Sequence, residues 1–469
     1  MLGLFFTTVL SLRNIAGANN QTKIIGYFEP KTDGLQFGDL DASTLTHLIY
    51  AFASLTIDGE ATWEGSGSGA DAYSFWAQDR RMEKYERYCG CQGTCLKGYL
   101  NQLFKFKREH PHIRTIMSLG GFSWSANFSA VMKNPTTRQY AVETSTELML
   151  QYGFDGIDID WEFPTNKDRP VTEKDYTTDP NDWTNYALFM NEMRNYWKSK
   201  GIPDDAILSI AAPGYLDSDT LFESAMQSLA KSLTFVLVAS YEYQHNPSIA
   251  KLGSQLYSHS GDSQSELETT VDKAMSGFSK YFGKSQLIMG IPVYASGFDG
   301  ITPNTGKRDM ICLGDSIQSG SEAKKISYRE AMRRSSPGGD FRGYQVSFSR
   351  AQAVMCNDDI FYSFDSVETV AKKAEYVIKN GLGGIMVWDL SQDVNPKTSP
   401  QYSLAVAAKK ALNYSPVEDR QFSDFCSDSS KFCNLRCSYT PEIALAYEKK
   451  NSGNTKTVSL LLLLFTLFQ

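Results

Sequence analysis

Histidine is scarce in this chain, 5 among 469 residues, and none lies beside any of the three groups of cysteines. Those groups are Cys89, Cys91 and Cys95; Cys312 and Cys356; and Cys426, Cys433 and Cys437, and none holds a Cys-x-x-Cys pair. Zinc is thereby disfavoured, because structural zinc sites need closely spaced thiolates or imidazoles. Basic residues are also in deficit, 46 Lys and Arg against 53 Asp and Glu, for a formal charge of −7. Nucleic acid is excluded as a natural partner, since phosphate binding requires a basic face. No Gly-rich dinucleotide fingerprint follows a first strand, which argues against a doubly wound nucleotide-binding sheet. The apolar run Val458 to Phe468 is too short to span a bilayer comfortably.

What is present is ordinary globular material, 42% hydrophobic and 21% charged, with an aromatic share of 13% that mildly favours a carbohydrate partner. Residues 1–18 read as a signal peptide: Leu2 to Leu12 is apolar and Ala16-Gly17-Ala18 is a small-x-small cleavage pattern. Residues 452–469 read as a signal for a glycosylphosphatidylinositol anchor, with small residues, a short polar spacer and an apolar tail. Eight cysteines fit export, because disulfides persist in oxidising compartments. Cys312 is expected to pair with Cys356, while the other six cannot be paired from sequence. Asn20, Asn127 and Asn413 each begin a glycosylation sequon. The expected location is secreted, at the cell surface or wall, as a monomer.

Short β-branched and aromatic runs alternate with amphipathic stretches, the pattern of repeated βα units. The spacing predicts strands at Lys23–Phe28, Thr46–Ala53, Ile113–Leu119, Phe154–Asp160, Ile207–Ala212, Phe235–Ser240, Leu287–Val293 and Gly384–Trp388. Helices are predicted at Thr137–Tyr152, Asn185–Lys200, Glu266–Phe282 and Val367–Asn380. In the last, Val370, Ala374 and Val377 recur at helical spacing with lysines opposite. Eight strands with helical crossovers predict an α/β fold, a (β/α)8 TIM barrel over residues 19–415. The length of residues 298–357 points to a small subdomain inserted between strand seven and its helix, and residues 416–451 read as a cysteine-containing appendage. Thr56 to Leu96 reads as a long loop over the barrel mouth.

The sharpest motif is Phe154-Asp155-Gly156-Ile157-Asp158-Ile159-Asp160-Trp161-Glu162. Residues two apart in a strand share a face, so Asp158, Asp160 and Glu162 point one way and Ile157, Ile159 and Trp161 the other. In a barrel the acids climb the interior towards the C-terminal mouth, where barrel enzymes place their chemistry. Three carboxylates on one face repel, so some must hold or share protons. Stability supplies no reason for that cost, and perturbed clusters of this kind mark functional sites. Glycosidic cleavage needs an acid to protonate the leaving oxygen, a role that suits Glu162 as the outermost carboxyl. Asp160 stands one step inward, with Asp158 behind it, and no separate carboxylate nucleophile is evident.

The run Asp155-x-x-Asp158-x-Asp160-x-Glu162 resembles the signature of glycoside hydrolase family 18, the chitinase family, and especially its secreted fungal-type members. Ser118-Leu119-Gly120-Gly121 resembles the family's third-strand element, Thr46 to Ala53 its second strand, Gly290-Ile291-Pro292-Val293-Tyr294 its seventh and Gly383 to Trp388 its eighth. The resemblance covers roughly Lys23 to Leu412 and implies that residues 298–357 are an α+β insertion walling a deep cleft. It implies a chitinase cutting β-1,4-linked N-acetylglucosamine with retention, the substrate's acetamido oxygen serving as nucleophile. Glu162 would be acid and then base, Asp160 and Asp158 its supports, and Tyr241 the holder of the acetamido oxygen. Trp388 would floor the reacting subsite, with Tyr27, Phe52, Gly121, Met386, Tyr294 and Glu242 as further substrate-binding residues. No metal or other cofactor is implied, and the partner would be chitin or chito-oligosaccharides.

Departures from the family pattern fall on strand six, where Ala239-Ser240-Tyr241-Glu242 stands in place of Met-x-Tyr-Asp, and at Phe122, where Trp is frequent. They keep open a weakly active or inactive chitin-binding lectin. An endo-β-N-acetylglucosaminidase acting on N-glycans shares the strand-four acids. Trp76, Trp124, Tyr215 and Phe298 are candidate cleft aromatics, while His47 and His112 read as structural.

Overall fold

The computed structural model describes residues 22–416 apart from 32, 64–88, 92–93, 96–97, 166–176, 216–219, 245–247, 259–268, 303–311 and 347–351. The signal segment, the C-terminal appendage, the anchor-like tail, Trp76, Asn20 and the side chains of the six remaining cysteines lie outside the described residues.

Eight parallel strands close on themselves: β1 (Lys23–Phe28), β2 (His47–Leu55), β3 (Arg114–Gly120), β4 (Gly156–Asp160), β5 (Ile207–Pro213), β6 (Phe235–Ala239), β7 (Leu287–Pro292) and β8 (Gly384–Trp388). Each pairs with its chain neighbour, and β8 pairs with β1, so no barrel edge is left open. Alternation sorts the side chains. Ile25, Ile49, Ile116, Ile207, Phe235 and Ile288 pack together inside the barrel. Ile157, Ile159 and Trp161 instead join the larger core beneath the helices, where Trp161 meets Tyr186 at 5.3 Å. The carboxylates of β4 are therefore left to the interior.

β1 and β8 have the expected bounds, and the other strands shift by one or two residues at one end or both. β2 runs two residues past its expected end, to Leu55, and β4 begins two residues late, at Gly156 rather than Phe154. Phe154 is buried in the outer core, and the carboxylate of Asp155 leaves the pattern to accept from the Thr115 amide at 2.7 Å and to pair with Lys107 at 2.8 Å. Helix Pro135–Tyr152 starts where Asn134 caps the Thr136 amide and stops at Gly153 in the left-handed conformation. Helix Asp182–Ser199 begins three residues earlier than periodicity suggested, and helix Val271–Phe278 begins at its Thr270 cap. Helix Val367–Asn380 has the expected bounds, capped by Ser366.

The segment after β2 does not start over the mouth. Ala61–Thr62 folds back antiparallel to the end of β2, the Ala61 amide bonds Thr144, and Trp63 is buried against Tyr50 and Phe154. Burial of this indole on the outer side of β2 and β4 draws the chain away from the mouth.

Between β7 and its helix lies a five-stranded antiparallel sheet. Its order is Ala323–Ser327, Tyr294–Phe298, Phe361–Phe364, Gln352–Cys356 and Arg342–Val346, with helix Tyr328–Arg334 alongside. The disulfide Cys312–Cys356 sits within it. The sheet is joined to the loop after β6, where the Gly253 amide donates to the Ser363 hydroxyl at 2.8 Å and the Ser254 amide to the Gln352 side chain at 3.2 Å; just past the sheet, Lys373 donates to Asp365 and to the Ser254 hydroxyl, each at 2.8 Å, in a fully buried ion pair. Among the described residues no helix is long and apolar enough to cross a membrane.

Candidate active site

The C-terminal ends of the strands surround a cleft of about 1650 Å³, larger than the several hundred Å³ of a small-molecule pocket and suited to an oligomer. Asp158, Asp160 and Glu162 rise along β4 and the turn after it. Asp158 is fully buried, Asp160 nearly so, and Glu162 half-buried. Asp160 and Glu162 line the cleft, whereas Asp158 lies behind them.

Asp158 is wrapped in hydroxyls. One carboxylate oxygen accepts from Tyr27 at 2.6 Å and Ser118 at 2.7 Å, and the other from Ser209 at 2.7 Å. Burial pushes its carboxyl up and the three hydrogen bonds oppose that rise. Asp160 is driven well above the usual carboxylate range by burial, then by the charges of Glu162 and Asp158. A proton on Asp160 relieves the repulsion along the row.

The turn after β3 supports the acid from below. Ser125 is buried; its hydroxyl accepts from the Glu162 amide at 3.0 Å and donates to the Gly121 carbonyl at 2.8 Å. Gly121 itself is not a lining residue, unlike Gly120. A β-carbon at Gly121 would fall 2.6 Å from the Phe52 ring, so the position provides room rather than contact, at a φ of +79° that suits glycine.

Phe52, Tyr27 and Trp388 form an aromatic floor, with ring centroids 5.5 Å apart for Phe52 and Trp388 and 5.1 Å for Tyr27 and Trp388. A flat apolar face of this kind receives the C–H face of a sugar ring. Met386 lines the same floor. Tyr241 packs against the same inner cluster as Phe52 and Trp388, and its phenol is pushed well up by burial, with Asp160 and Glu242 adding to the effect, so its hydroxyl stays a donor. Gly290 makes room for it, since a β-carbon there would lie 2.9 Å from Tyr241 Cε1.

Glu242 adopts a φ of +60°, uncommon for a residue other than glycine. It accepts from the Tyr294 hydroxyl and pairs with Lys325, both from the inserted sheet. The extra methylene at this departure from the family pattern is thus taken up by a cation on the far wall. Phe122, Trp124, Tyr215 and Phe298 also line the cleft, and Phe122 and Tyr215 expose about half of their surface. His47 and His112 lie elsewhere: His47 packs on Phe235 at the start of β2, and His112 meets the Ala42 carbonyl.

Sequence reasoning left out Ser209, Ser125, Glu29, Asp179, Trp183, Lys324 and Lys325, of which the last five line the cleft. Ser209 carried a signal, a hydroxyl on the inward face of an apolar strand; Lys325 carried none, because its place depends on how the insertion folds over. Among the described residues no cluster of three or more His, Cys, Asp or Glu side chains is arranged to hold a metal ion.

Residues 23–393 match the family described as glycosyl hydrolases family 18. The chain is 24% identical over 422 residues to chitinase A1 of Niallia circulans, covering 81% of this chain and 58% of that protein, and so spans little more than half of this relative's length. It is 26% identical over 368 residues to endochitinase 1 of Metarhizium robertsii, covering 76% of this chain and 78% of the relative. Among solved structures, chitinase ChiA74 from Bacillus thuringiensis is similar with a TM-score of 0.71 at 22% identity, over 86% of this chain and 71% of that one. The Ostrinia furnacalis Group IV chitinase in complex with allosamidin is similar with a TM-score of 0.65 at 19% identity, over 84% and 98%.

Proposed function

The chain belongs to the glycosyl hydrolases of family 18, and on that premise we propose that it is a chitinase, hydrolysing β-1,4-linked N-acetylglucosamine polymers by a retaining, substrate-assisted route. The observation that carries this reading is the row Asp158, Asp160 and Glu162 opening into a long cleft floored by Trp388 and faced by Tyr241. Glu162 protonates the glycosidic oxygen as the bond to C1 breaks. The acetamido oxygen of the same sugar attacks C1 from the other side, its position held by the donating hydroxyl of Tyr241 and its nitrogen faced by Asp160. Water then attacks C1 of the cyclic intermediate, and Glu162, now a carboxylate, takes its proton. Tyr27, Phe52 and Trp388 seat the reacting sugar. The terminal segments 1–18 and 452–469, with the eight cysteines, support export and attachment at the cell surface.

The test is hydrolysis of a short chitin oligosaccharide by wild type and Glu162→Gln. Wild-type cleavage with β-anomeric product, and a loss of roughly 10²–10⁴-fold in the variant with binding retained, is the expected result. Binding without cleavage by the wild type would replace the enzyme with a chitin-binding protein.

A further inference from the structure

Asp158 takes no part in contacting substrate, yet it is surrounded more completely than the two acids that do. Ser118, Asp158 and Ser209 stand level on β3, β4 and β5, as direct partners in the parallel ladders. Tyr27 reaches the same carboxylate from β1. Tyr27 and Ser118 share one oxygen, while the other receives Ser209 from the far side at 2.7 Å. Each of the three is buried, so no bulk water competes for these bonds. The other titratable groups facing Asp158 are Asp160 on its own strand and Tyr186 from helix Asp182–Ser199; Glu162 and Tyr241 act on Asp160 in turn.

Asp158 therefore has a donor on each oxygen, and a carboxylate that only accepts is the ionised form. We infer that Ser209 is a positioning residue for the reaction, the third hydroxyl that fixes Asp158 as the anion of the row and so leaves the shared proton on Asp160, beside Glu162. The inference rests on the chitinase reading and deepens it. A hydrogen bond to a charged acceptor is worth more than one to a neutral acceptor, and its loss moves a carboxyl by about one pH unit. Without Ser209, the first ionisation of the row occurs at higher pH, and the acid limb of activity follows it.

The experiment measures kcat/KM against pH on a fluorogenic chitotrioside for wild type, Ser209→Ala and Ser209→Thr, with Ser118→Ala as a comparison. The expected result is an acid limb raised by about one unit in Ser209→Ala, a similar rise in Ser118→Ala, and a limb restored in Ser209→Thr. A merely structural serine would lower activity equally at all pH values and leave the limb in place, and that outcome overturns the inference. So does a Ser209→Thr profile displaced as far as that of Ser209→Ala. The thermal midpoint is followed over the same pH range, independently of turnover. The deficit of Ser209→Ala should narrow as pH falls and Asp158 takes up a proton; a deficit constant with pH counts against the role even if the wild type proves inactive. Wild-type inactivity alone would sink the chitinase reading and leave the thermal comparison to judge Ser209.

Discussion

The amide nitrogen of Glu162 is held by the hydroxyl of Ser125 at 3.0 Å, and that same hydroxyl is anchored on the Gly121 carbonyl. The acid is thus located through its backbone by a turn that also sets the spacing around Phe52. Ser125→Ala should leave the amide and carbonyl without this partner, at a cost of about 1–2 kcal/mol. If that cost falls on the placement of Glu162, kcat should drop roughly 5- to 30-fold with KM less affected, because the lost bonds are to the backbone at Gly121 and Glu162 and not to the aromatic side chains. A fall in kcat/KM driven by KM would show that Ser125 matters for binding instead.

Tyr241 and Gly290 are expected to behave as one unit. On the proposed route, Tyr241→Phe removes the donor that would hold the acetamido oxygen and should reduce kcat by about 10²-fold while the protein stays folded. Gly290→Ala keeps the hydroxyl but places a β-carbon 2.9 Å from the ring and 2.5 Å from the Val238 carbonyl oxygen. Its activity should fall as well, and the double variant should be little worse than either single one. Additive losses would separate the two positions.

Asp160 should trade stability for function. Burial and two neighbouring carboxylates hold its folded-state affinity for a proton above that of the unfolded chain. The sign follows: as pH rises above about 4 the unfolded state releases this proton first, so the folded state loses relative stability until the folded-state value is passed. Asp160→Asn removes that penalty. Its thermal midpoint should exceed the wild type's at neutral pH, and the gain should shrink as pH falls towards 4, while hydrolysis drops. A gain that grows on acidification would contradict the argument.

Lys373 and Asp365 form an ion pair with no exposed surface. Removing Lys373 leaves Asp365 a buried charge with the Thr369 hydroxyl as a remaining donor, so Lys373→Met should cost about 3–5 kcal/mol. Pairing it with Asp365→Leu should recover part of that loss, measured by denaturant unfolding. Equal stability of the single and double variants would mean that the stranded carboxylate finds another partner.

Much of this architecture was legible in the sequence because barrel strands are short and strongly apolar, and because the alternation of acid and apolar residues in 157–162 leaves one way to face them. The ends of elements were less legible. Asp182 starts its helix early because its buried carboxylate accepts from the Ser129 hydroxyl and the amides of Thr165 and Asp179, partners that periodicity does not reveal. The site divides in the same way. Glu162, Asp160 and Trp388 lie in local motifs, whereas Ser209 acquires meaning only when β5 is laid beside β4. Lys325 meets Glu242 only once strand Ala323–Ser327 has paired with Tyr294–Phe298 beside the cleft. Position within a strand can be read along the chain; proximity across the barrel depends on closure.

The Lys373–Asp365–Ser254 junction also bears on how a polymer enters. Its buried charges sit beside the Gly253–Ser363 and Ser254–Gln352 bonds that join the inserted sheet to the loop after β6, so parting sheet from barrel would disturb all of them together. The width of the groove is then set when the chain folds and not when sugar arrives. Under the chitinase reading, a crystalline polymer would have to give up a single chain to enter such a groove, a step that a soluble oligosaccharide does not face.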